Sequence, residues 1–379
     1  MDIPAFNDIF EQIKINFWLI GIPLGNSKMT IRYFVFLFCL SLMVSEEIAF
    51  FLSRFSVENF LELTQLAPCT FIGLLSILKI IFITIQRQKI YDLSQSLKHL
   101  YEDFLGDPIK RNFVSKDFLF LKYLVKCFFI LNAILISVYN FSTLIFLAYH
   151  YYTKNEILFT LPYAVLLPFS TISWSTWSIV YLHSIISGFV CVLYFATVDA
   201  LYYILTSHIC SQFALLSEEI QSLDENTAYS LTEIIKKHQH ILKLSQDLEI
   251  IFRAPNLFNV LIGSLEICAL GFNLTMGDWS QIPGVILFLL SVLIQILMIS
   301  VFGENLIRES MRVGQAAFFC KWYTMDRASK KNILILMLRA NKPQILTAYQ
   351  FSVISYESFT KIISISWSYF TILKTLYTN

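Results

Sequence analysis

The residues in this chain that could do chemistry are hydroxyls, aromatics and a few isolated ionisable groups, and their spacing points away from catalysis. Six histidines (99, 150, 183, 208, 238 and 240) form no metal set. His238 and His240 are two apart and so face different sides of a helix, with no cysteine or carboxylate at ligand spacing. The sequence holds no nucleophile elbow, phosphate-cradling glycine loop or zinc-binding His-Glu-x-x-His pattern. No catalytic residue, metal or cofactor is therefore expected. What recurs instead is a hydroxyl stripe near the carboxyl end. Thr360, Ser364, Ser368, Thr371 and Thr375 follow at steps of four, four, three and four, which places them on one helical face. Ile372 and Leu376 lie one turn apart beside them. A hydroxylated face (Ser368, Thr371, Thr375) closed by bulky aliphatics is what a wet passage with a dewetting gate requires. Serine and threonine also let membrane helices approach and bond across, so the stripe taken alone favours ordinary packing.

A second constellation is more diffuse. Aromatics and small hydroxyls collect in the outer halves of four apolar runs. Thr70 and Phe71 lie on the second run, and Tyr139, Ser142 and Phe146 on the third. Trp177, Tyr181 and Ser184 follow Trp174 on the fourth, and Val292, Gln295 and Ile296 lie on the sixth. As a set they suit a small apolar or aromatic ligand held by shape and oriented by one or two hydroxyls. Individually, each is equally an ordinary packing residue.

The lone ionisable groups have structural readings beside functional ones. His183, inside an apolar run, is either functional or bonded to a hydroxyl such as Ser184. Glu357 and Lys361 are four apart and should pair along a helix. Glu46 and Glu47, near the outer end of the first run, read as solvated or capping, and Glu266 has no partner assignable from sequence.

The elements that must position these groups follow from composition. Of 379 residues, 56% are hydrophobic and 15% charged, with formal charge +1. That balance defines a polytopic membrane protein and gives no reason to expect nucleic-acid binding. No cleavable signal pattern opens the chain, and Asp2, Asp8 and Glu11 mark the start as a folded leader. The cysteines, at 39, 69, 127, 191, 210, 268 and 320, lie mostly in apolar runs and read as packing residues.

Runs of spanning length occur at about 31–53, 64–86, 118–147, 168–204, 254–276, 282–303 and 347–376, seven in all. Cations crowd alternate connections: Arg87 to Lys122, Lys236 to Arg253, and Arg308 to Lys342. The opposite connections carry little beyond Arg54 and Lys154. By the positive-inside rule the amino terminus is cytoplasmic and the carboxyl terminus extracellular, the reverse of a G-protein-coupled receptor. Asn273, in the sequon Asn273-Leu274-Thr275, falls at the mouth of an outer loop and is a candidate glycosylation site; Asn140 matches too but lies within a span. Residues 90–104, 205–223 and 231–251 keep helical apolar spacing among many polar residues, and read as membrane helices extended into the cytoplasm.

The C-terminal pattern resembles that of insect odorant receptors. It is carried by Gly303-Glu304, Glu309-Ser310, Ala316, Cys320-Lys321-Trp322-Tyr323, Lys331 with Ile333 and Ile335, Arg339-Ala340-Asn341-Lys342-Pro343, and Ser366-Trp367-Ser368-Tyr369-Phe370. Phe17-Trp18-Leu19-Ile20-Gly21 resembles the family's leader. The resemblance implies an all-α membrane protein of seven transmembrane helices, whose cytoplasmic extensions form an anchor and whose split seventh helix lines a pore. It implies an odour-gated, non-selective cation channel without enzymatic activity or cofactor. In such a channel a tuning subunit assembles with a shared co-receptor into a tetramer. The absence of a long acidic insertion after the fourth span favours the tuning subunit.

Carried over by position, Ile372 and Leu376 match the gate, while Trp322, Tyr323, Lys331 and Pro343 fall in the subunit anchor. The implied organisation is a leader at 1–30, spans one to six with an outer pocket at 31–303, an anchor at 304–345, and the pore helix with its tail at 346–379. The seventh helix would be split into about 325–340 and 347–376. Implied partners are a small volatile hydrophobic or aromatic odorant, co-receptor subunits, membrane lipid and permeant cations. The implied location is the plasma membrane of olfactory sensory neuron dendrites. A gustatory receptor of the same superfamily is the nearest alternative, but Thr347-Ala348-Tyr349-Gln350-Phe351 has that branch's letters without its spacing.

Overall fold

The computed structural model describes residues 4, 6–25, 27–56, 60–155, 159–276 and 282–378, excluding the side chains of 62, 105, 226–228 and 376–378. The described residues are almost entirely helical. In chain order the helices are α1 (Phe6–Ile20), α2 (Ile31–Ser53), α3 (Phe60–Ile85), α4 (Arg87–Leu105), α5 (Pro108–Lys154), α6 (Trp174–Gln221), α7 (Leu231–Met276), α8 (Ile282–Phe319), α9 (Arg327–Ala340) and α10 (Tyr356–Thr378). Among the described residues six helices, α2, α3 and α5 to α8, are long and apolar enough to cross a bilayer. The expected seventh, α10, has the length of a span but carries Glu357, Lys361 and Lys374 among its hydroxyls.

Local chemistry sets where these helices start. Asp107 caps α5, its carboxylate accepting from the backbone N–H of Ile109 and Lys110, and Pro108 fills the first position, where a missing N–H costs nothing. Ser173 caps α6 by accepting from the N–H of Thr176. The fourth apolar run therefore becomes helical at Trp174, six residues later than sequence suggested. The preceding segment, which includes Pro162 and Pro168, packs as irregular chain. The cytoplasmic extensions are continuous with their spans: α6 runs for 48 residues, roughly 70 Å at 1.5 Å per residue.

Helix α6 is the axis of the bundle. Over Tyr194–Leu205 every side chain is buried, because α2, α3, α5, α7 and α8 all pack around it. The leader belongs to the same core. α1 buries Phe6, Phe10, Ile13, Phe17 and Ile20, Asn16 donates to the Thr197 hydroxyl at 3.0 Å, and Tyr101 donates to the Pro4 carbonyl at 2.6 Å.

The last helix is split, and the break differs from the expected boundary. Residues 347–355 are not helix but a tight hairpin. Thr347 pairs with Val353, Ala348 N donates to Ser352 O at 2.9 Å, and Ile354 N donates to Leu346 O at 2.8 Å. Tyr349 and Gln350 take positive φ at its tip. The hairpin is tied to α7 by Glu249, whose carboxylate accepts from both the backbone N–H (2.8 Å) and the hydroxyl of Thr347. Arg253 lies 5.0 Å over the Tyr349 ring. Gly303 sits where any Cβ would collide with the Ile354 carbonyl, so the hairpin can lie directly on α8. These contacts give Gly303 of the C-terminal motif a structural reason.

Candidate functional site

The outer half of the bundle holds a partly open cavity of about 490 Å³, within the range of small-molecule sites. Its walls come from α2, α3, α5, α6, α7 and α8, with Tyr163 from the α5–α6 connection. Apolar surface dominates, with Leu40, Met43 and Val44 contributed by α2 and Val285, Leu287 and Phe288 by α8. The polar groups are few and mostly bonded to one another or to backbone. Tyr139 Oη lies 3.1 Å from Cys69 Sγ, Tyr163 donates to Asn140 Oδ1 at 3.0 Å, and Ser187 donates to Cys39 O at 3.3 Å. Gly188 is needed here, since a side chain would run into Tyr163 and the Asn140 amide.

Of the pocket residues expected from sequence, Tyr139 lines this cavity. Thr70 is not among the lining residues; its hydroxyl lies beside the carboxyl of Glu47, which does line the cavity. Phe71 packs with Leu75, Phe195 and Ile262. Ser142 and Phe146 are exposed on the far side of α5, Ser142 donating to Tyr139 O and Phe146 against the His150 ring. Trp177 and Tyr181 stack at 4.8 Å and pin the outer connection: the indole donates to Thr160 O at 2.9 Å, and the phenol to Asn140 O at 3.0 Å. Ser184 is buried, its hydroxyl without a partner. Val292 and Ile296 lie behind the wall in a cluster with Leu270 and Ile362 of α10. Depth was the only sequence cue for these positions, and depth does not say which face of a helix turns inward.

Other expectations are also revised. Asn273 is 2% exposed, and its amide donates to Thr64 O at 2.7 Å while accepting from the Thr64 hydroxyl at 2.9 Å. Pro68, inside α3, has no N–H to offer the carbonyl four residues earlier, so Asn273 satisfies Thr64 O. Its side chain is a packing element and is not presented for glycosylation. Glu47 is buried, neither solvated nor capping. His183 contacts Cys39 O at 3.3 Å and Ser187, one turn along, rather than Ser184. The Glu357–Lys361 pair forms as expected, at 2.6 Å.

A polar cluster that the sequence reading missed lies beyond the cavity toward the basic end. Lys79 of α3 and Asp199 of α6 form an ion pair at 2.8 Å, with both side chains essentially inaccessible. Lys79 also lies 4.1 Å over the Phe195 ring. The second Asp199 oxygen accepts from Gln295 at 3.0 Å, and Gln295 in turn reaches Asn259 of α7. Gln295, expected in the pocket, is thus the α8 member of a network joining four helices. The available signal was simply a lysine and an aspartate inside otherwise apolar runs.

On α10, Ser358, Ile362, Ser366 and Phe370 are buried against the bundle, chiefly against α7 and α8. Thr360, Ser364, Ser368, Thr371, Thr375 and Ile372 are on the exposed side. Thr360, Ser368, Thr371 and Thr375 donate to carbonyls one turn back, which satisfies each hydroxyl without a neighbouring helix. The Leu376 side chain lies outside the described residues. At the basic end Tyr323 and Lys331 are exposed, Trp322 is half-buried with its indole donating to Phe318 O, and Pro343 starts the non-helical link to the hairpin. Phe318, Phe319, Leu334, Ile335 and Leu338 are exposed around them.

These elements define a helical, multi-pass membrane protein with a largely apolar cavity and a final helix half-exposed outside its own bundle. Comparison with known proteins gives the family. A model described as the 7tm odorant receptor matches residues 59–367, and the chain belongs to that family. Odorant receptor 13a of Drosophila melanogaster is 26% identical over 367 residues, covering 88% of this chain and 84% of that protein. Odorant receptor 85b of the same species is 25% identical over 344 residues, covering 86% of each. The insect olfactory receptor OR5 from Machilis hrabei, solved in complex with eugenol, superposes with a TM-score of 0.80 at 14% identity, covering 98% of this chain and 100% of that one.

Proposed function

We propose that this chain is the odorant-binding subunit of a heteromeric, ligand-gated, non-selective cation channel in the plasma membrane of olfactory sensory neuron dendrites. A small hydrophobic or aromatic volatile occupies the outer cavity. The observation that carries the reading is the two-sidedness of α10. One stripe of the helix is committed to the bundle, while the hydroxyl stripe and Ile372 face away from it, as a surface shared with other subunits around a pore would. The apolar cluster of Leu270, Val292, Ile296 and Ile362 joins the two regions, because Leu270 also lines the cavity and Ile362 belongs to α10. A ligand that binds better when this cluster has shifted tilts the closed–open equilibrium by that difference in affinity, and α10 then moves its aliphatics out of the constriction.

Assembly with co-receptor subunits uses the basic-end surface around Trp322, Tyr323, Lys331 and Pro343, where exposed apolar side chains need a partner. The test is current recording from cells expressing the chain with and without the co-receptor, against a panel of aromatic and aliphatic volatiles. Odour-evoked cation current that requires this chain is expected, and Ile372→Ser raises the resting current several-fold. Unchanged resting and evoked currents in Ile372→Ser, with normal surface display, would count against the gate.

A further inference from the structure

Among the described residues, one buried polar group lining the cavity is left unbonded. Glu47 is 4% exposed, and a glutamate within an apolar helix is costly unless its oxygens are bonded. The Thr70 hydroxyl of α3 lies beside this carboxyl. Glu47 Oε2 has no hydrogen-bond partner. Four other polar side chains that line the cavity are occupied elsewhere: Tyr139 by Cys69, Tyr163 by Asn140, Asn132 by Phe128 O, and Asn273 by Thr64. Lys79, the buried lysine further along α3, is held by Asp199. Among the described residues lining the cavity, Glu47 is the one with a buried side-chain oxygen or nitrogen left unbonded. Leu40, Met43 and Val44 share its face of α2, so an apolar body lying along them would bring its head to this carboxyl.

We propose that Glu47 is the polar anchor of the cavity, selecting ligands with a small apolar body and one hydrogen-bond-donating head, an alcohol, phenol or amine, that donates to its carboxyl. This rests on the odorant-receptor reading and adds the ligand class to it. A ligand without a donor fills the same volume but leaves a buried acceptor unbonded, and such sites discriminate more sharply than apolar shape does.

The test uses the full chain with its co-receptor and two matched sets: benzyl alcohol, benzylamine, anisole and ethylbenzene; and hexanol, hexylamine, methyl pentyl ether and heptane. Donor-bearing members should act at concentrations at least about tenfold lower than their ether and hydrocarbon partners, the amine arm, protonated at neutral pH, separating a cationic donor from a neutral one. Glu47→Leu should bring alcohol and ether within about twofold of each other while the ether response persists. If that variant fails to reach the surface, Glu47→Gln, of the same shape, should still reduce the preference several-fold. Equal potency of donors and ethers in the unaltered receptor, or a preference that survives both substitutions, overturns the assignment and leaves the odorant reading intact. Silence toward every compound, with the co-receptor's own responses preserved, removes the odorant reading and this inference with it.

Discussion

Two acidic side chains buried in the bundle, Asp199 and Glu47, behave as opposites. Asp199 has both oxygens engaged, one by Lys79 at 2.8 Å and the other by Gln295 at 3.0 Å, and lies at the crossing of four helices. Glu47 has the Thr70 hydroxyl beside it but its Oε2 is buried without a hydrogen-bond partner, and the residue lines the cavity. A saturated buried charge contributes to which arrangement of helices forms. An unsaturated one beside a cavity is an opening for a ligand. Residue type is the same in chemical kind; the difference is whether the fold has completed the hydrogen bonds.

The largest effect that would test this contrast is on the saturated side. Lys79→Ala or Asp199→Ala leaves the other charge buried and unpaired, which costs about 3–5 kcal/mol. The detergent-solubilised receptor should lose most of its thermal stability, and replacing both residues by apolar side chains of similar volume should restore much of it. If the single variants melt like the unaltered protein, the network is not a structural tie.

A middle-sized effect comes from His208, a buried group with neither kind of completion. It lies beyond the apolar part of α6, packed by the rings of Phe6, Phe10, Tyr101 and Phe118, with no hydrogen bond to either nitrogen. Burial pushes its pKa down from 6.5 to about 3. The unfolded chain therefore takes up a proton below about pH 6.5 that the folded chain refuses until about pH 3. Stability is full above the upper value and falls as the pH drops through that window, by at most about 1.4 kcal/mol per unit. Melting temperature measured from pH 7.5 to 5 should decline from this contribution, and His208→Phe should flatten the decline. An unaltered profile in that variant would show that the leader's aromatic cage is not acid-sensitive.

The smallest stability effect belongs to the open side. Glu47→Gln keeps shape and can retain the Thr70 contact, so its melting temperature should shift by the equivalent of less than about 1 kcal/mol. A loss as large as that of Asp199→Ala would erase the distinction between the two carboxyls.

Much of the framework was legible in the chain because membranes impose strict one-dimensional rules. Apolar run length marked seven spans, six of which are helices long and apolar enough to cross a bilayer, and alternating cation-rich connections gave their expected polarity. The final helix was legible as a stripe: every hydroxyl at steps of three or four does lie on one face, away from the bundle. The pocket was the opposite case. Val292 and Ile296 were placed at a suitable depth but turn toward α10, whereas Glu47, Met43 and Tyr163 line the cavity from elements that depth alone did not implicate. Helix rotation in an apolar environment leaves little periodic trace, because lipid-facing and core-facing side chains are both greasy.

Sequence by itself determined a helical, multi-pass protein, a motif-bearing carboxyl end and a family, since hydrophobic length, charge asymmetry and local motif order are properties of the chain. Tertiary structure alone decided that Lys79 finds Asp199, 120 residues away, that Asn273 completes the carbonyl freed by Pro68, and that Glu47 meets a cavity instead of water. Each of these depends on which groups are brought within hydrogen-bond reach, and that is set by how helices rotate and pack against one another.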